Sequence, residues 1–265
     1  MMNSMLRSSL LPLSLLFFSG SWIYCQKLSL QKEIVLQSSP TAYSVDIQEN
    51  FYVGFEDGSM LKFDSEGKQL SSYSFPNQSG ITLIEAQNSL KTFLFYFDTQ
   101  QIITLDRFNT IPKVYDLSDY DVNLALSACP SPDEHFWVIE NNPMRIKKID
   151  PLRKATLLEV QVALGDSIRF MRAYKNLLII LSDKELHTFD LFGSKLHSFE
   201  NIDASYFQIK DEDIMLLSGN KLLTINPFSS QIENKVEVAD KKADTYLSIN
   251  RSDILFKEHI LLIYR

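Results

Sequence analysis

The four histidines are the first residues to consider for metal binding or acid–base chemistry, because imidazole does both near neutral pH. Histidine ligands of zinc usually lie within about three to six residues of each other. No two histidines of this chain are that close, so we interpret them as surface or strand-end residues. They are His135, His187, His197 and His259.

Aspartates at a regular spacing suggest a second kind of chemistry, calcium binding. Asp64, Asp106, Asp150 and Asp190 each end an apolar run, at separations of 40 to 44 residues. Calcium requires about six to eight oxygen ligands at one place, whereas each of these runs supplies one carboxylate. An aspartate in this position can instead accept backbone hydrogen bonds and hold a tight turn. We therefore interpret these residues as turn residues and expect no metal or other cofactor.

Nucleophilic catalysis has no recognisable motif in the chain. There is no Gly-x-Ser-x-Gly elbow, and the eight glycines form no phosphate-binding loop. A serine–histidine pair cannot be assigned from sequence order alone. The sequence thus identifies no catalytic residue, which favours a non-catalytic protein and leaves an enzyme open.

The elements that must position any functional residue are short strands. Three apolar runs, Phe51–Phe55, Met60–Phe63 and Gln69–Phe75, follow one another closely. Asp57-Gly58 lies in the first gap and indicates a tight hairpin. The second gap, Asp64–Lys68, combines an aspartate with a glycine, which is typical of a turn.

The same hairpin unit recurs along the chain, with closing residues 36 to 44 positions apart. A repeat of about 40 residues made only of strands is typical of the blades of a β-propeller. The six units are Ala42–Phe75, Ile81–Leu117, Asn123–Val162, Ser167–Phe199, Ala204–Val238 and Tyr246–Arg265 together with Leu28–Leu36.

The last unit lacks a fourth strand of its own, so a strand from the N-terminus is assigned to it. It contains three strands where four are expected, and Leu28–Leu36 has no partner of its own. The sequence therefore predicts an all-β, six-bladed β-propeller closed by its N-terminal strand, with five or seven blades as alternatives.

Two passages carry a resemblance to known proteins. Ser44–Phe75 resembles a blade of the six-bladed propellers related to the NHL and TolB-like families, and Leu90–Leu117 is similar to segments of uncharacterised exported propellers of Bacteroidota. The resemblance implies a ring scaffold that is commonly used for binding, with no inherited catalytic set.

Residues 1–25 have the features of a secretory signal peptide, and residues 26–265 form a single predicted propeller domain. Leu10–Phe18 is an apolar run of nine residues, too short for a transmembrane helix, which needs about 20. Cleavage after Cys25 or after Ser21 would export the protein to the periplasm, the outer membrane or the medium. Cys25 also suggests attachment of a lipid at this cysteine, but the bulky Tyr24 before it disfavours that modification.

The charge of the chain gives the last set of candidates. The net charge is −7 and becomes −8 without Arg7, which disfavours nucleic acid as a partner.

In a propeller, the turns between second and third strands share a face with the connectors between blades, and both are acidic here. The alternative is that turns recruit aspartate for hydrogen bonding. The candidate binding residues are Asp57, Asp98, Asp183, Glu258, Asp119, Tyr120 and Asp121.

These observations favour an exported, non-catalytic scaffold, monomeric on its own, that binds another envelope or surface protein or a ligand. The alternative is a hydrolase, lactonase or lyase that uses the central channel, with or without calcium. An enzyme of this kind requires three or more Asp, Glu, Asn or His side chains converging in the channel. The predicted innermost strands offer Asp46 as their only carboxylate.

Overall fold

A computed structural model describes residues 29–75, 79–88, 90–165, 167–229, 231–237, 243–249 and 252–265. The predicted signal peptide, with Cys25, lies outside these ranges. Among the described residues, no helix is long and apolar enough to cross a bilayer.

The described chain consists of short strands and one turn of 3-10 helix. The first twelve strands are β1 (Leu30–Val35), β2 (Ala42–Val45), β3 (Phe51–Gly54), β4 (Met60–Phe63), β5 (Gln69–Tyr73), β6 (Leu83–Glu85), β7 (Lys91–Tyr96), β8 (Gln101–Asp106), β9 (Pro112–Asp116), β10 (Ala125–Pro130), β11 (Phe136–Glu140) and β12 (Arg145–Asp150). The next twelve are β13 (Ala155–Gln161), β14 (Ile168–Tyr174), β15 (Leu177–Ser182), β16 (Glu185–Asp190), β17 (Lys195–Glu200), β18 (Phe207–Lys210), β19 (Asp213–Ser218), β20 (Lys221–Ile225), β21 (Ile232–Glu237), β22 (Thr245–Ile249), β23 (Ser252–Lys257) and β24 (Ile260–Tyr264). The 3-10 helix is Leu117–Tyr120.

The strands form six antiparallel sheets of four, the blades of a propeller. Blades 1 to 5 take consecutive strands from β2 to β21. Blade 6 has the order β1-β24-β23-β22, and Leu30 lies opposite Tyr264 while Val35 lies opposite Ile260. The prediction of six blades closed by the N-terminal strand is confirmed, and the five- and seven-bladed alternatives are wrong.

Aspartates hold the turns after the third strands, as predicted. The Asp64 carboxylate accepts hydrogen bonds from the backbone N–H groups of Glu66 and Lys68, both at 2.9 Å. Gly67 then takes a positive φ of 71°, which a residue without a Cβ adopts at little cost. Asp190 bonds the N–H groups of Phe192 and Ser194 in the same way.

The middle strands are buried on both faces because blades pack face to face around the ring. All six residues of β15 are buried.

Cys129 of β10 is also buried, which raises the pKa of its thiol and makes the thiolate inaccessible as a nucleophile.

The ring has two faces, because successive strands run in opposite directions. We call the side with the turns between second and third strands, and with the ends of the connectors, the connector face. The other side, with the turns between first and second and between third and fourth strands, is the hairpin face. The turns of the hairpin face include residues 46–50, 64–68, 86–88, 90, 107–111, 131–135, 151–154, 175–176, 191–194, 211–212, 226–229 and 231.

Candidate binding site

Three of the predicted carboxylates lie exposed on the connector face. Asp57, Asp98 and Glu258 occupy the turns between the second and third strands of blades 1, 2 and 6, which are neighbours in the ring. Asp57 accepts hydrogen bonds from the backbone N–H (2.9 Å) and hydroxyl (2.5 Å) of Ser59, and these bonds lower the pKa of its carboxyl group. Asp57 thus holds its turn and still presents a charge to solvent.

Asp183 is paired within the protein, whereas Asp121 is exposed and uses only its backbone carbonyl. Asp183 accepts a hydrogen bond from Arg169 at 2.7 Å, and this bond lowers the pKa of the Asp183 carboxyl group. The backbone carbonyl of Asp121 accepts a hydrogen bond from Lys147 Nζ at 2.6 Å. The charge of Asp183 is therefore balanced by a neighbour on the same surface.

The 3-10 helix carries Asp119 and Tyr120 away from the other candidates. Asp119 pairs at 2.6 Å with Lys154, which belongs to a turn of the hairpin face. Tyr120 is only 4% exposed, and its hydroxyl lies 3.4 Å from the carbonyl oxygen of Pro151 in the same turn. The structure does not bring these two residues together with Asp57, and Tyr120 offers no exposed ring to a partner.

The inner strands hold an ion pair that the sequence analysis missed. Asp46 was predicted to be the only carboxylate of the inner strands, whereas β6, the inner strand of blade 2, ends at Glu85. Glu85 Oε2 pairs with Arg172 Nε of blade 4, and the two residues are only 6% and 2% exposed. The signal in the sequence was Arg172, which directly follows the apolar residues Phe170 and Met171 in β14.

Aromatic side chains surround this pair. The Arg172 guanidinium carbon lies 5.2 Å from the ring centre of Phe170 and 5.9 Å from that of Phe207. The Tyr206 hydroxyl lies 3.5 Å from the guanidinium, and burial raises the pKa of that hydroxyl. The cluster therefore connects inner segments of blades 2, 4 and 5 through a charge pair in an apolar setting.

Asp46 and Glu85, the carboxylates at the ends of the inner strands of blades 1 and 2, are both engaged. Asp46 Oδ1 accepts hydrogen bonds from the N–H groups of Gln48 and Asn50, and its Oδ2 accepts one from the Tyr52 hydroxyl at 2.9 Å. Glu85 Oε1 accepts the N–H of Gln87 at 2.9 Å, which leaves Oε2 for Arg172. These carboxylates hold turns and strands in place.

A groove of about 550 Å³ opens on the hairpin face between blades 2 and 3. Its apolar wall is a continuous group of rings: Phe136 meets Phe93 at 5.4 Å and Tyr115 at 5.0 Å between ring centres. Glu85 lies at its inner end and Leu152 at its outer end. The groove thus runs from the buried ion pair outward to the rim of the ring.

Polar groups line the mouth of the groove. Lys91 of blade 2 and Glu134 of blade 3 form a 3.0 Å ion pair across the gap between the blades. The Lys113 ammonium lies 5.0 Å from the ring centre of Tyr115. The groove can therefore bind an apolar group between its rings and a polar or charged group at its mouth.

His135 is the one predicted histidine that lines this groove. Its Nδ1 lies 3.1 Å from Asp133 Oδ2, and its Nε2 lies 3.9 Å from Asp150 Oδ2. Within the described ranges, no group of three or more His, Cys, Asp or Glu side chains is arranged to hold a metal ion.

Comparisons with known proteins give the fold. No protein-family model and no curated protein matches the chain. Among solved structures, a catalytically inactive virginiamycin B lyase from Staphylococcus aureus with quinupristin has a TM-score of 0.63 at 14% identity, over 90% of this chain and 99% of that one. The chain is a β-propeller.

Two further propellers are similar over nearly their whole length. BamB from Moraxella catarrhalis has a TM-score of 0.51 at 12% identity, over 90% of this chain and 97% of that one. The β-propeller domain of Swd1 (Cps50) from Myceliophteria thermophila has a TM-score of 0.63 at 10% identity, over 89% and 99%. At these identities the likeness concerns the fold, and function must be argued from the site.

Proposed function

We propose that this protein is an exported, non-catalytic binding scaffold of the bacterial cell envelope, and that a segment of another envelope or surface protein enters the groove between blades 2 and 3. The observation that carries the proposal is the open groove with its wall of Phe93, Tyr115 and Phe136. Its volume of about 550 Å³ accommodates a few side chains of a partner. The signal-like sequence of residues 1–25 supports export.

The groove also indicates the chemistry of the bound segment. An apolar or aromatic side chain fits between the rings, since aromatic pairs at 4.5–7 Å stabilise each other beyond simple burial. Lys113 and the Lys91–Glu134 pair then face polar atoms of the bound segment on either side of that apolar side chain. The engaged state of Asp46 and Glu85 supports binding over catalysis in the channel.

Photo-crosslinking tests the groove directly. A photoreactive amino acid at the exposed Lys113 should capture the partner in intact envelopes, because Lys113 lies at the groove mouth. The same amino acid at Leu157, which is 46% exposed on the outer strand of blade 3, serves as the control and should capture nothing. Equal capture at both positions, or no capture at Lys113, would contradict the proposal.

Once the partner is identified, Tyr115→Ala should weaken its binding by about 10–30-fold, as expected for a truncated aromatic contact at the centre of an interface. The control Leu157→Ala should leave the affinity unchanged. Titration of the purified proteins measures both, and thermal melting separates lost contacts from lost folding. An unchanged affinity for Tyr115→Ala would place the binding site elsewhere.

The connector face is proposed as a second contact surface through its exposed carboxylates. Asp57→Asn, Asp98→Asn and Glu258→Gln together should slow association and flatten its dependence on salt, because exposed charges act mainly on the rate of encounter. Asn at position 57 can still accept the Ser59 N–H bond, so the turn should persist. Stopped-flow association at several salt concentrations measures the effect.

Two controls distinguish a docking role of these carboxylates from an effect of the net charge of the protein. Asp183→Asn should have little effect, because Arg169 already balances that carboxylate. Neutralising Glu66, Asp211 and Glu212 on the hairpin face changes the net charge equally and should leave the association rate nearly unchanged. If the connector-face variant associates at the unaltered rate at every salt concentration, its acids are turn residues only.

A further inference from the structure

The exposed large apolar side chains of the described residues are unevenly distributed over the ring. Six lie on the outer strands of the blades and one, Leu124, lies in a connector. The remaining seven all lie in turns of the hairpin face. They are Ile47, Leu90, Phe108, Ile111, Leu152, Phe192 and Phe228.

Four of these seven occupy the same position in four consecutive blades. Each is the second residue after the aspartate or asparagine that ends or directly follows the third strand, at Asp106, Asp150, Asp190 and Asn226. We call these four residues the apolar arc. They are Phe108, Leu152, Phe192 and Phe228, which are 62%, 79%, 77% and 46% exposed.

The turns themselves hold the apolar arc outward. The side chains of Asp150, Asp190 and Asn226 accept the backbone N–H of Leu152 (2.8 Å), Phe192 (2.9 Å) and Phe228 (2.9 Å). Each acceptor is therefore directed into its turn, while the apolar residue lies at the tip. Because the blades are related by rotation about the ring axis, equivalent turn tips lie near one plane, and an arc of this shape fits a flat surface.

Exposed cations stand beside three of the four tips. Arg107 precedes Phe108, with its guanidinium 4.5 Å from the ring centre, and Arg153 follows Leu152 with a side chain that is 81% exposed and has its Nε 3.6 Å from Asp150 Oδ2. Lys195 is exposed three residues after Phe192. Apolar tips with neighbouring Lys or Arg match the interface of an anionic bilayer, where the former enter the headgroup region and the latter meet phosphates.

The start of the described chain lies on the same face. Ser29 exchanges two backbone hydrogen bonds with Arg265, at 2.8 and 3.1 Å, and Arg265 follows the third strand of blade 6. The chain therefore enters the ring on the hairpin face. The exposed carboxylates Asp57, Asp98 and Glu258 lie on the opposite face, so an anionic membrane would repel that side.

We infer that the hairpin face is a membrane-facing surface, whose apolar arc enters the interface of an anionic lipid bilayer while Arg107, Arg153 and Lys195 contact headgroup phosphates. The inference deepens the proposed function, on which its envelope location rests. In this orientation the groove between blades 2 and 3 opens beside Leu152 at the bilayer surface. The segment that it binds then belongs to a membrane-anchored protein and lies close to the bilayer.

Vesicle co-sedimentation tests the inference with lipid alone. The chain from Gln26 onward, which contains all six blades, should bind vesicles of phosphatidylethanolamine and phosphatidylglycerol. Replacing the four residues of the apolar arc by serine should weaken that binding at least about tenfold, because the interaction scales with the apolar area that enters the interface. The matched control replaces four apolar residues elsewhere by serine, which should leave vesicle binding unchanged: Leu70, Leu124, Leu157 and Leu196.

A second variant tests the charges. Arg107→Gln, Arg153→Gln and Lys195→Gln together should weaken binding to the anionic vesicles and leave binding to phosphatidylcholine vesicles unchanged. Equal losses in the arc and control variants would overturn the inference. Absence of vesicle binding by the unaltered protein would also overturn it. If crosslinking at Lys113 still captures a protein in that case, the proposed function stands without the membrane contact.

Discussion

Replacing Arg172 by methionine is expected to lower the free energy of unfolding by about 3–5 kcal/mol, because the change leaves Glu85 charged and unpaired in a buried site. Glu85 is 6% exposed, and its Oε2 has Arg172 as its ion-pair partner. Methionine fills much of the volume of arginine and keeps an apolar contact with Phe170 and Phe207. The decrease in the free energy of unfolding is therefore due mainly to the missing charge and not to a cavity.

Arg169→Met is the matched control, because Arg169 lies in the same strand and also pairs with a carboxylate. Its side chain is 44% exposed, and its partner Asp183 is 47% exposed, so the loss should be about 1 kcal/mol or less. Urea unfolding of both variants measures the difference. If Arg172→Met unfolds at the same urea concentration as Arg169→Met, the inner ion pair does not stabilise the ring.

The double variant Glu85→Gln with Arg172→Met gives an independent check. Glutamine still offers an oxygen to the N–H of Gln87, and it carries no charge that needs a partner. The double variant should therefore recover a large part of the stability lost in Arg172→Met, since removing both charges costs less than removing one. A double variant that is less stable than Arg172→Met would contradict a role of the pair as mutual charge balance.

Removing the N-terminal strand should have a comparably large effect. A chain that begins at Ser38 lacks β1, so β24 loses its hydrogen-bonded neighbour and blade 6 is left with an open edge. It also lacks Leu36, which is 5% exposed within the main core, and the contact of Lys32 with the carbonyl of Gly67 at 2.9 Å. The loss should amount to several kcal/mol, since each buried large apolar side chain contributes about 1.5–3 kcal/mol.

Thermal melting of three samples tests this closure. The chain from Gln26 onward retains β1 and provides the reference, and the chain from Ser38 onward should melt well below it. A synthetic peptide of Leu28–Leu36 added to the shorter chain should raise the melting temperature again, because it can pair with β24. Equal melting temperatures for the two chains would show that β1 does not close the ring.

The candidate site was predicted less well than the fold, and particular residues show why. Asp57 was placed on the connector face because its Asp-Gly turn is a local signal, and it is exposed there. Asp119 and Tyr120 were assigned to the same face because they lie in a connector. The 3-10 helix turns that connector inward, so Tyr120 is buried and Asp119 meets Lys154. The path of an irregular connector depends on the blades beside it, which the sequence does not specify.

The groove and its ion pairs were not predicted at all. Lys91 and Glu134 are 43 residues apart, and Glu85 and Arg172 are 87 apart. Each residue looked like an ordinary strand or turn residue in its own segment. Their contacts arise when blades from distant parts of the chain are packed around a common axis.

The sequence alone predicted six blades, with five or seven as alternatives, and it identified the closing strand and the turn aspartates of this protein. These features depend on contacts within about four to ten residues, such as Asp64 with Glu66 and Lys68, and on a count of repeats. Only the tertiary structure decided that Glu85 meets Arg172, that a groove opens between blades 2 and 3, and that Phe108, Leu152, Phe192 and Phe228 share one face. Such meetings depend on how rigid sheets pack and rotate around the ring axis, and local hydrogen-bonding patterns do not encode that packing.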